Sequence, residues 1–327
     1  LTCSFVINFY HIFNFIDLRL PFPIIYCMNL FNSFIMKTVS HLPKWFATPF
    51  AKPYVAGETT QEALKNVSKL NQKGFRATLD ILGEHVLSSN FAKKITNQYC
   101  SLYKQISNEK LDCTISVKPS HIGLNISYSE ALQNMKLISQ QAKDLNNFLR
   151  IDMENSLLTD QTFMLLNECK SITKNIGVAV QAYLFRSLDD INTLADSEFN
   201  ARICKGIYKE DSSVAFIDRS DIKNNFMLIA KRMVAKGSFA GFATHDQELI
   251  DELINWIQTE KIPNEQFEFQ TLYGVPMDGR LEELINEGYA VRIYVPYGPD
   301  WFDYSIRRLK ENPDIAKYVM KNFFKNG

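Results

Sequence analysis

The chain carries no excess charge of either sign: its 327 residues hold 36 Lys and Arg against 36 Asp and Glu. A nucleic-acid footprint needs a basic excess or stripe, so bulk charge offers no support for that class of partner. There is no C-x-x-C and no paired spacing among the six cysteines, Cys3, Cys27, Cys100, Cys113, Cys169 and Cys204. That scatter argues against a zinc site or a disulfide framework and suits a reducing compartment. Cys113 and Cys204 lie in apolar runs and read as small buried hydrophobes. The chain has no G-x-G-x-x-G, no Walker A loop and no H-E-x-x-H. Phosphates are therefore not cradled by a glycine-rich device, and no compact metal spacing exists. No apolar run reaches the roughly 18 to 20 residues of a membrane helix. Even in the Phe-, Ile- and Tyr-rich first 35 residues, Asn8, His11, Asn14, Asp17 and Arg19 interrupt. That stretch also lacks the charge pattern and small-residue cleavage site of a secretory signal.

What is present is the balance of a globular chain, 46% hydrophobic and 22% charged. A chain of this length can bury roughly three quarters of its unfolded surface without a metal or disulfide staple. From about residue 75 a rhythm sets in. Short apolar, β-branched runs at 77–82, 113–118, 148–153, 177–184, 201–207, 237–243, 267–272 and 290–295 predict strands. Between them, stretches such as 128–146, 160–172, 221–235 and 246–259 carry helical apolar spacing and acidic or amide starts. Alternation of this kind implies parallel strands covered by helices, and eight regular units favour an α/β fold closed as a (β/α)8 TIM barrel over an open doubly wound sheet. Residues 54–70 read as an additional helix before the first strand. The expected organisation is a non-structural N-terminal extension over 1–35, a helical segment over 36–75 and the barrel over 76–327. Translation is expected to start at Met28 or Met36.

In a barrel, chemistry gathers at the C-terminal ends of the strands. Read strand by strand, those ends offer Asp80 and Glu84, then Lys118, then Asp152 and Glu154, then Gln181, Tyr183 and Arg186. Arg202, Lys205 and Tyr208 follow, then His245 and Asp246, Gln270 and Tyr273, and Arg292 and Tyr294. Each alone is weak evidence: a lone Lys or His at a strand end is more often a satisfied structural group. A polar residue at every strand end is harder to reconcile with core packing, because buried polar groups are costly unless paired. The cations in the set suggest an anionic ligand, a phosphate or a carboxylate.

The most informative segment is 291–311. A strand ends at Tyr294 and Val295, Pro296, Gly298 and Pro299 make a turn, and Asp300 can cap the helix that follows. On that helix Tyr304, Arg307, Arg308 and Glu311 fall at spacings of three and four, within reach of one another. Paired guanidinium forks match a small carboxylate, and Tyr294 and Tyr304 could wall an apolar ring. The same residues also fit a solvated helix face with an ordinary Arg–Glu pair.

At this point the sequence resembles the proline dehydrogenases. The likeness covers roughly 40–327 and rests on separated stretches: Leu79-Asp-Ile-Leu-Gly-Glu84, Ser116-Val-Lys-Pro-Ser120, Asp152-Met-Glu154, Val180-Gln-Ala-Tyr183, Arg202-Ile-Cys-Lys-Gly-Ile-Tyr208 and Phe242-Ala-Thr-His-Asp246. Phe269-Gln-Thr-Leu-Tyr-Gly274, Arg292-Ile-Tyr-Val-Pro-Tyr-Gly298 and Tyr304-x-x-Arg-Arg-x-x-Glu311 complete it. The resemblance implies a distorted barrel, monofunctional, carrying non-covalent FAD. It implies that Lys118, Arg307 and Arg308 bind the proline carboxylate, while Tyr208, Leu272, Tyr294 and Tyr304 surround the pyrrolidine ring. Asp152, Gln181, Arg202, Lys205, His245 and Gln270 would contact the flavin or its chain, and Glu84 would pair with Arg307 as a gate. Tyrosine at 294 favours unsubstituted proline over hydroxyproline. The implied reaction is hydride transfer from proline C5 to flavin N5, giving Δ1-pyrroline-5-carboxylate, with electrons passed to a membrane quinone by a cytoplasmic protein in at most peripheral contact with the membrane. No metal is expected. Two rivals stand beside it: a lyase or aldolase using Lys118 as a Schiff-base nucleophile, and a barrel that binds proline without turnover.

Overall fold

A computed structural model describes residues 52–302 and 304–306. Eight parallel strands close on themselves in chain order. They are β1 (Arg76–Ile81), β2 (Cys113–Val117), β3 (Leu149–Ile151), β4 (Ile176–Gln181), β5 (Asn200–Cys204), β6 (Phe239–Ala243), β7 (Phe267–Leu272) and β8 (Val291–Tyr297). Closure runs from β8 back to β1, from Arg76 beside Arg292 to Ile81 beside Tyr297. Helix α1 (Thr60–Gln72) precedes the barrel, and α2 (Ser89–Asn108), α3 (Tyr128–Asp144), α4 (Thr159–Lys170), α5 (Ser187–Leu194), α6 (Arg219–Ala235), α7 (Gln247–Glu260) and α8 (Arg280–Asn286) connect successive strands. The expected α/β barrel is the observed one.

Side chains alternate along each strand. Leu79, Ile115, Leu149, Ile176, Val178, Ala201, Ile203 and Phe242 face outward into a continuous apolar shell under the helices. All of them are fully buried. Each large side chain so placed contributes about 1.5–3 kcal/mol relative to exposure. Phe242, Phe267, Phe269 and Tyr289 interlock there at centroid separations of 5.6–6.0 Å. The inward positions are polar instead: Thr78 and Asp80, Thr114 and Ser116, Arg150, Gln181, Arg202, Glu268 and Gln270, Arg292 and Tyr294. Their hydrogen bonds cross the barrel and set the site.

Boundaries differ from the sequence reading in instructive ways. Strands expected over 177–184 and 201–207 stop at Gln181 and Cys204, the last residues the β4–β5 ladder pairs. The apolar composition continues because Tyr183, Leu184 and Ala215 form a satellite cluster of their own above the sheet. Gly206 turns the chain there at φ 119, and a Cβ on it would lie 2.3 Å from the Tyr183 ring. The helix expected from residue 54 starts at Thr60, because Thr59 and Glu62 form a capping box. Among the described residues no helix is long and apolar enough to cross a membrane.

Candidate active site at the barrel mouth

Asp80, near the end of β1, and Lys118, just past β2, meet with Nζ donating to Oδ2 at 2.6 Å. The Asp80 side chain is 1% exposed and that of Lys118 is 15% exposed, so the pair opens toward solvent only through the lysine. Burial alone would lower the Lys118 pKa, but the charges of Asp80 and Asp152 outweigh it and hold the ammonium above its ordinary value. Burial raises Asp80, against the pull of Lys118. Its Oδ1 is buried and has no hydrogen-bond partner among the described residues.

Arg202, on β5, is the hub of the interior. Its Nε donates to Gln270 Oε1 at 2.7 Å, its Nη1 to Asp152 Oδ1 at 2.6 Å and its Nη2 to Ser116 Oγ at 2.9 Å. Its guanidinium lies 4.8 Å from the centroid of the Tyr294 ring. The Tyr294 hydroxyl donates to Asp152 Oδ2 at 2.8 Å. Asp152 therefore joins the cation of β5 to the aromatic wall of β8. Burial would lower the Arg202 pKa, but Asp152 raises it further. Burial, then Asp152 and Asp80, hold the Tyr294 phenol well above its usual range, so it serves as a neutral donor.

The loops above are tied down in turn. Glu154 accepts from the backbone N–H of Ser120 at 2.8 Å and from its hydroxyl, stapling the turn that follows Lys118. Gln181 Nε2 donates to the Glu154 carbonyl at 2.8 Å. Lys205 reaches Asp246 at 2.5 Å, and Asp246 also caps α7. His245 Nε2 accepts from the backbone N–H of Leu272 at 2.9 Å, which anchors the end of β7. Below the turn, His121 is buried against Tyr99, with Nδ1 and the hydroxyl 3.3 Å apart. Burial, then the Lys118 charge, push its pKa down to about 3, while Glu84 opposes.

The floor of the barrel holds a second polar set. Arg292 Nε donates to Glu268 Oε1 at 2.6 Å, and its Nη1 donates to the Ala77 carbonyl at 2.8 Å. Arg150 donates to the carbonyls of Val178 and Asn200 at 3.0 and 2.9 Å and to Asn200 Oδ1 at 2.6 Å. Burial, then the charge of Arg202, lower the Arg150 pKa to about 9. This corrects the sequence reading of Arg292 as a strand-end residue. Arg292 stands beside Arg76, the first residue of β1, whereas Tyr294 stands beside Thr78. Arg292 belongs to the floor.

Of the residues singled out from sequence, the structure brings Lys118, Asp152, Gln181, Arg202, Gln270 and Tyr294 to the interior and mouth. Lys205, His245 and Leu272 lie at or just past the C-terminal ends of β5, β6 and β7. Glu84 and Tyr208 sit half-buried in the loops after β1 and β5, and Tyr304 is half-buried in the helical residues 304–306. Arg307, Arg308 and Glu311 lie outside the described residues, and so does the Glu84–Arg307 gate. Sequence reasoning missed Ser116, whose hydroxyl meets Arg202, and Glu268. The only signal for either was its alternation with known inward positions. The assembled mouth offers an ammonium, a guanidinium, two side-chain amides and an aromatic wall at one end of the barrel. That set can hold a small anion beside a planar ring with alternating donors and acceptors.

A family model described as Proline dehydrogenase matches residues 63–321. The chain belongs to the proline dehydrogenase family. Proline dehydrogenase 1 of Bacillus subtilis subsp. natto is 37% identical over 290 residues, covering 88% of this chain and 96% of that protein. Proline dehydrogenase of Deinococcus radiodurans is 31% identical over 283 residues, covering 84% and 90%. Among solved structures, proline utilization A (PutA) from Bdellovibrio bacteriovorus, inactivated by N-propargylglycine, superposes with a TM-score of 0.74 at 23% identity. That match covers 85% of this chain and 34% of the other, so this chain spans about a third of that larger protein. At this identity the likeness bears on the fold.

Proposed function

We propose that this chain binds FAD across the barrel mouth and oxidises L-proline to Δ1-pyrroline-5-carboxylate, with a quinone as the final electron acceptor. The observation that carries the reading is the Lys118–Asp80 pair standing beside the Asp152–Arg202–Tyr294 cluster. It supplies a fixed positive charge for a carboxylate and an aromatic wall for a ring in one opening.

The donor set fits the cofactor. Gln181, Arg202 and Gln270 are buried amides and a guanidinium on β4, β5 and β7, chemistry suited to the ring edge of a flavin. Lys205 is 36% exposed in its side chain, and with His245 on the next loop it suits the anionic chain of the cofactor. When bound, FAD supplies the acceptor for the hydride that leaves proline C5. Everything else falls to the protein. Lys118 grips the carboxylate and so fixes the ring; Arg307 and Arg308, which the resemblance assigns to the same carboxylate, lie outside the described residues. Tyr294, with Tyr208, Leu272 and Tyr304, encloses the ring and excludes water. Arg202 offers positive charge where negative charge develops. No side chain needs to move a proton if proline binds with its amine neutral, and Lys118 and Tyr294 both retain theirs at neutral pH. The protein acts in the cytoplasm and meets the quinone by peripheral contact with the membrane.

Lys118 also separates the rivals. A Schiff-base lysine must give up its proton, and Asp80 and Asp152 hold this one charged. The test is a visible spectrum of the purified protein before and after anaerobic L-proline. A flavin spectrum that bleaches supports the reading. A colourless protein trapped by borohydride with a keto acid would overturn it, and a flavin that proline leaves oxidised would point to a silent barrel. In the same assay Arg308→Met is expected to raise the proline KM steeply while flavin stays bound; an unchanged KM would remove the carboxylate assignment.

A further inference from the structure

We propose that Glu268, a carboxylate of the barrel floor, is a positioning residue for the cofactor site: it fixes the side-chain amide of Gln270, and through it the guanidinium of Arg202. This rests on the reading that FAD binds at the mouth. Glu268 is 2% exposed, Gln270 3% and Arg202 5%. Glu268 Oε1 accepts from Arg292 Nε at 2.6 Å and from Gln270 Nε2 at 2.7 Å. Gln270 Oε1 then accepts from Arg202 Nε at 2.7 Å. Arg76 adds a second charge 3.5 Å from Oε2.

The chemistry of the three groups gives the chain one direction. An amide has a donor end and an acceptor end of nearly the same shape, so packing alone does not choose between them. A carboxylate only accepts, so it forces the donor end of Gln270 downward. That leaves the acceptor end facing Arg202, which only donates. The reversed amide would set oxygen against oxygen below and N–H against N–H above. Burial makes both contacts costly. Packing is close around this amide as well. Gly241 lies between Arg202 and Glu268 in the sheet register, and a Cβ on it would stand 2.5 Å from Gln270 Nε2.

Glu268→Gln breaks the direction while nearly keeping the shape, because a glutamine at 268 can donate to a reversed Gln270. The measurement is FAD affinity of the flavin-depleted full chain, read by quenching of flavin fluorescence. Glu268→Gln is expected to raise the FAD Kd about tenfold, the worth of one lost hydrogen bond. Gln270→Met is expected to raise it at least as far. The double variant should be no weaker than Gln270→Met alone, because the relay is already cut. Glu268→Asp, which keeps the charge that Arg292 needs but withdraws the carboxylate, is measured alongside and should also weaken FAD. That variant keeps the question open to measurement if the glutamine variant is too unstable to purify. An unchanged Kd in both Glu268 variants would overturn the proposal. So would a Glu268→Gln effect that persists at full size in the Gln270→Met background, since Glu268 would then act through its charge alone. Failure of the unsubstituted protein to bind FAD would instead sink the underlying reading.

Discussion

The floor and the mouth of this barrel are built from the same side-chain types and use them differently. On the floor, Arg292 and Arg150 donate to backbone carbonyls, and the side chains of Glu268 and Asn200 complete the set. These groups hold strands in register, and Glu268 also reaches toward the mouth by accepting from Gln270. At the mouth, Lys118 meets a carboxylate whose second oxygen has no hydrogen-bond partner among the described residues, and Arg202 is shared among side chains that a ligand can also address. A cation bonded to backbone carbonyls is part of the frame. A cation held by other side chains near an opening is chemistry in waiting.

Substitution at each level should separate the two. The largest effect is expected from Lys118→Met, which removes the charge at the mouth. The proline KM should rise about ten- to a hundredfold, the worth of a charged hydrogen bond. Stability should also fall by about 3–5 kcal/mol, because Asp80 is left buried without its partner. Adding Asp80→Asn should restore the urea midpoint and not the KM. Recovery of both would make the pair part of the frame. On the floor, Gly177→Ala drives a Cβ to 2.3 Å from the Asn200 carbonyl and 2.6 Å from Arg150 Nη1. It should cost about 1–3 kcal/mol by overpacking and leave the proline KM unchanged. A KM shift with normal stability would join the two levels.

His121 sets an acid limit beneath the mouth. Its folded pKa of about 3 lies below the ordinary value of 6.5, so between those values the unfolded chain binds a proton that the folded one does not. Stability from this group is full above pH 6.5 and declines as pH falls, by about 2 kcal/mol at pH 5. Urea midpoints from pH 7 to 5 should fall less steeply in His121→Gln; an equal slope would contradict the assignment. The smallest effect is expected from Tyr294→Ser. Losing the ring wall and the bond to Asp152 should weaken proline about tenfold and improve tolerance of hydroxyproline. Equal loss for both substrates would count against the wall.

Much of this was legible in the sequence, because the signals were local. Short apolar runs marked all eight strands, and each cluster member beyond them was a polar residue in an apolar context. What was hidden is height along the barrel axis. Arg292 and Tyr294 are two residues apart and face the same way, yet one is frame and the other is site. Only the closed register that sets Arg292 beside Arg76 decides which. Glu268 was hidden for the same reason. Its meaning depends on Gln270 above it and Arg292 beside it, contacts made by sheet closure. The overextended strand at 177–184 reflects a different blindness: Tyr183 and Leu184 are apolar for the satellite cluster and carry no information about the sheet.

The central claim is that L-proline sits with its carboxylate on Lys118 and its ring against Tyr294. A crystal structure of the FAD-loaded protein soaked with L-proline under reducing, anaerobic conditions tests it directly. The account predicts a carboxylate oxygen within hydrogen-bonding distance of Lys118 Nζ and the pyrrolidine ring packed on Tyr294. Proline bound away from both residues, with Lys118 still closed on Asp80 alone, would contradict it.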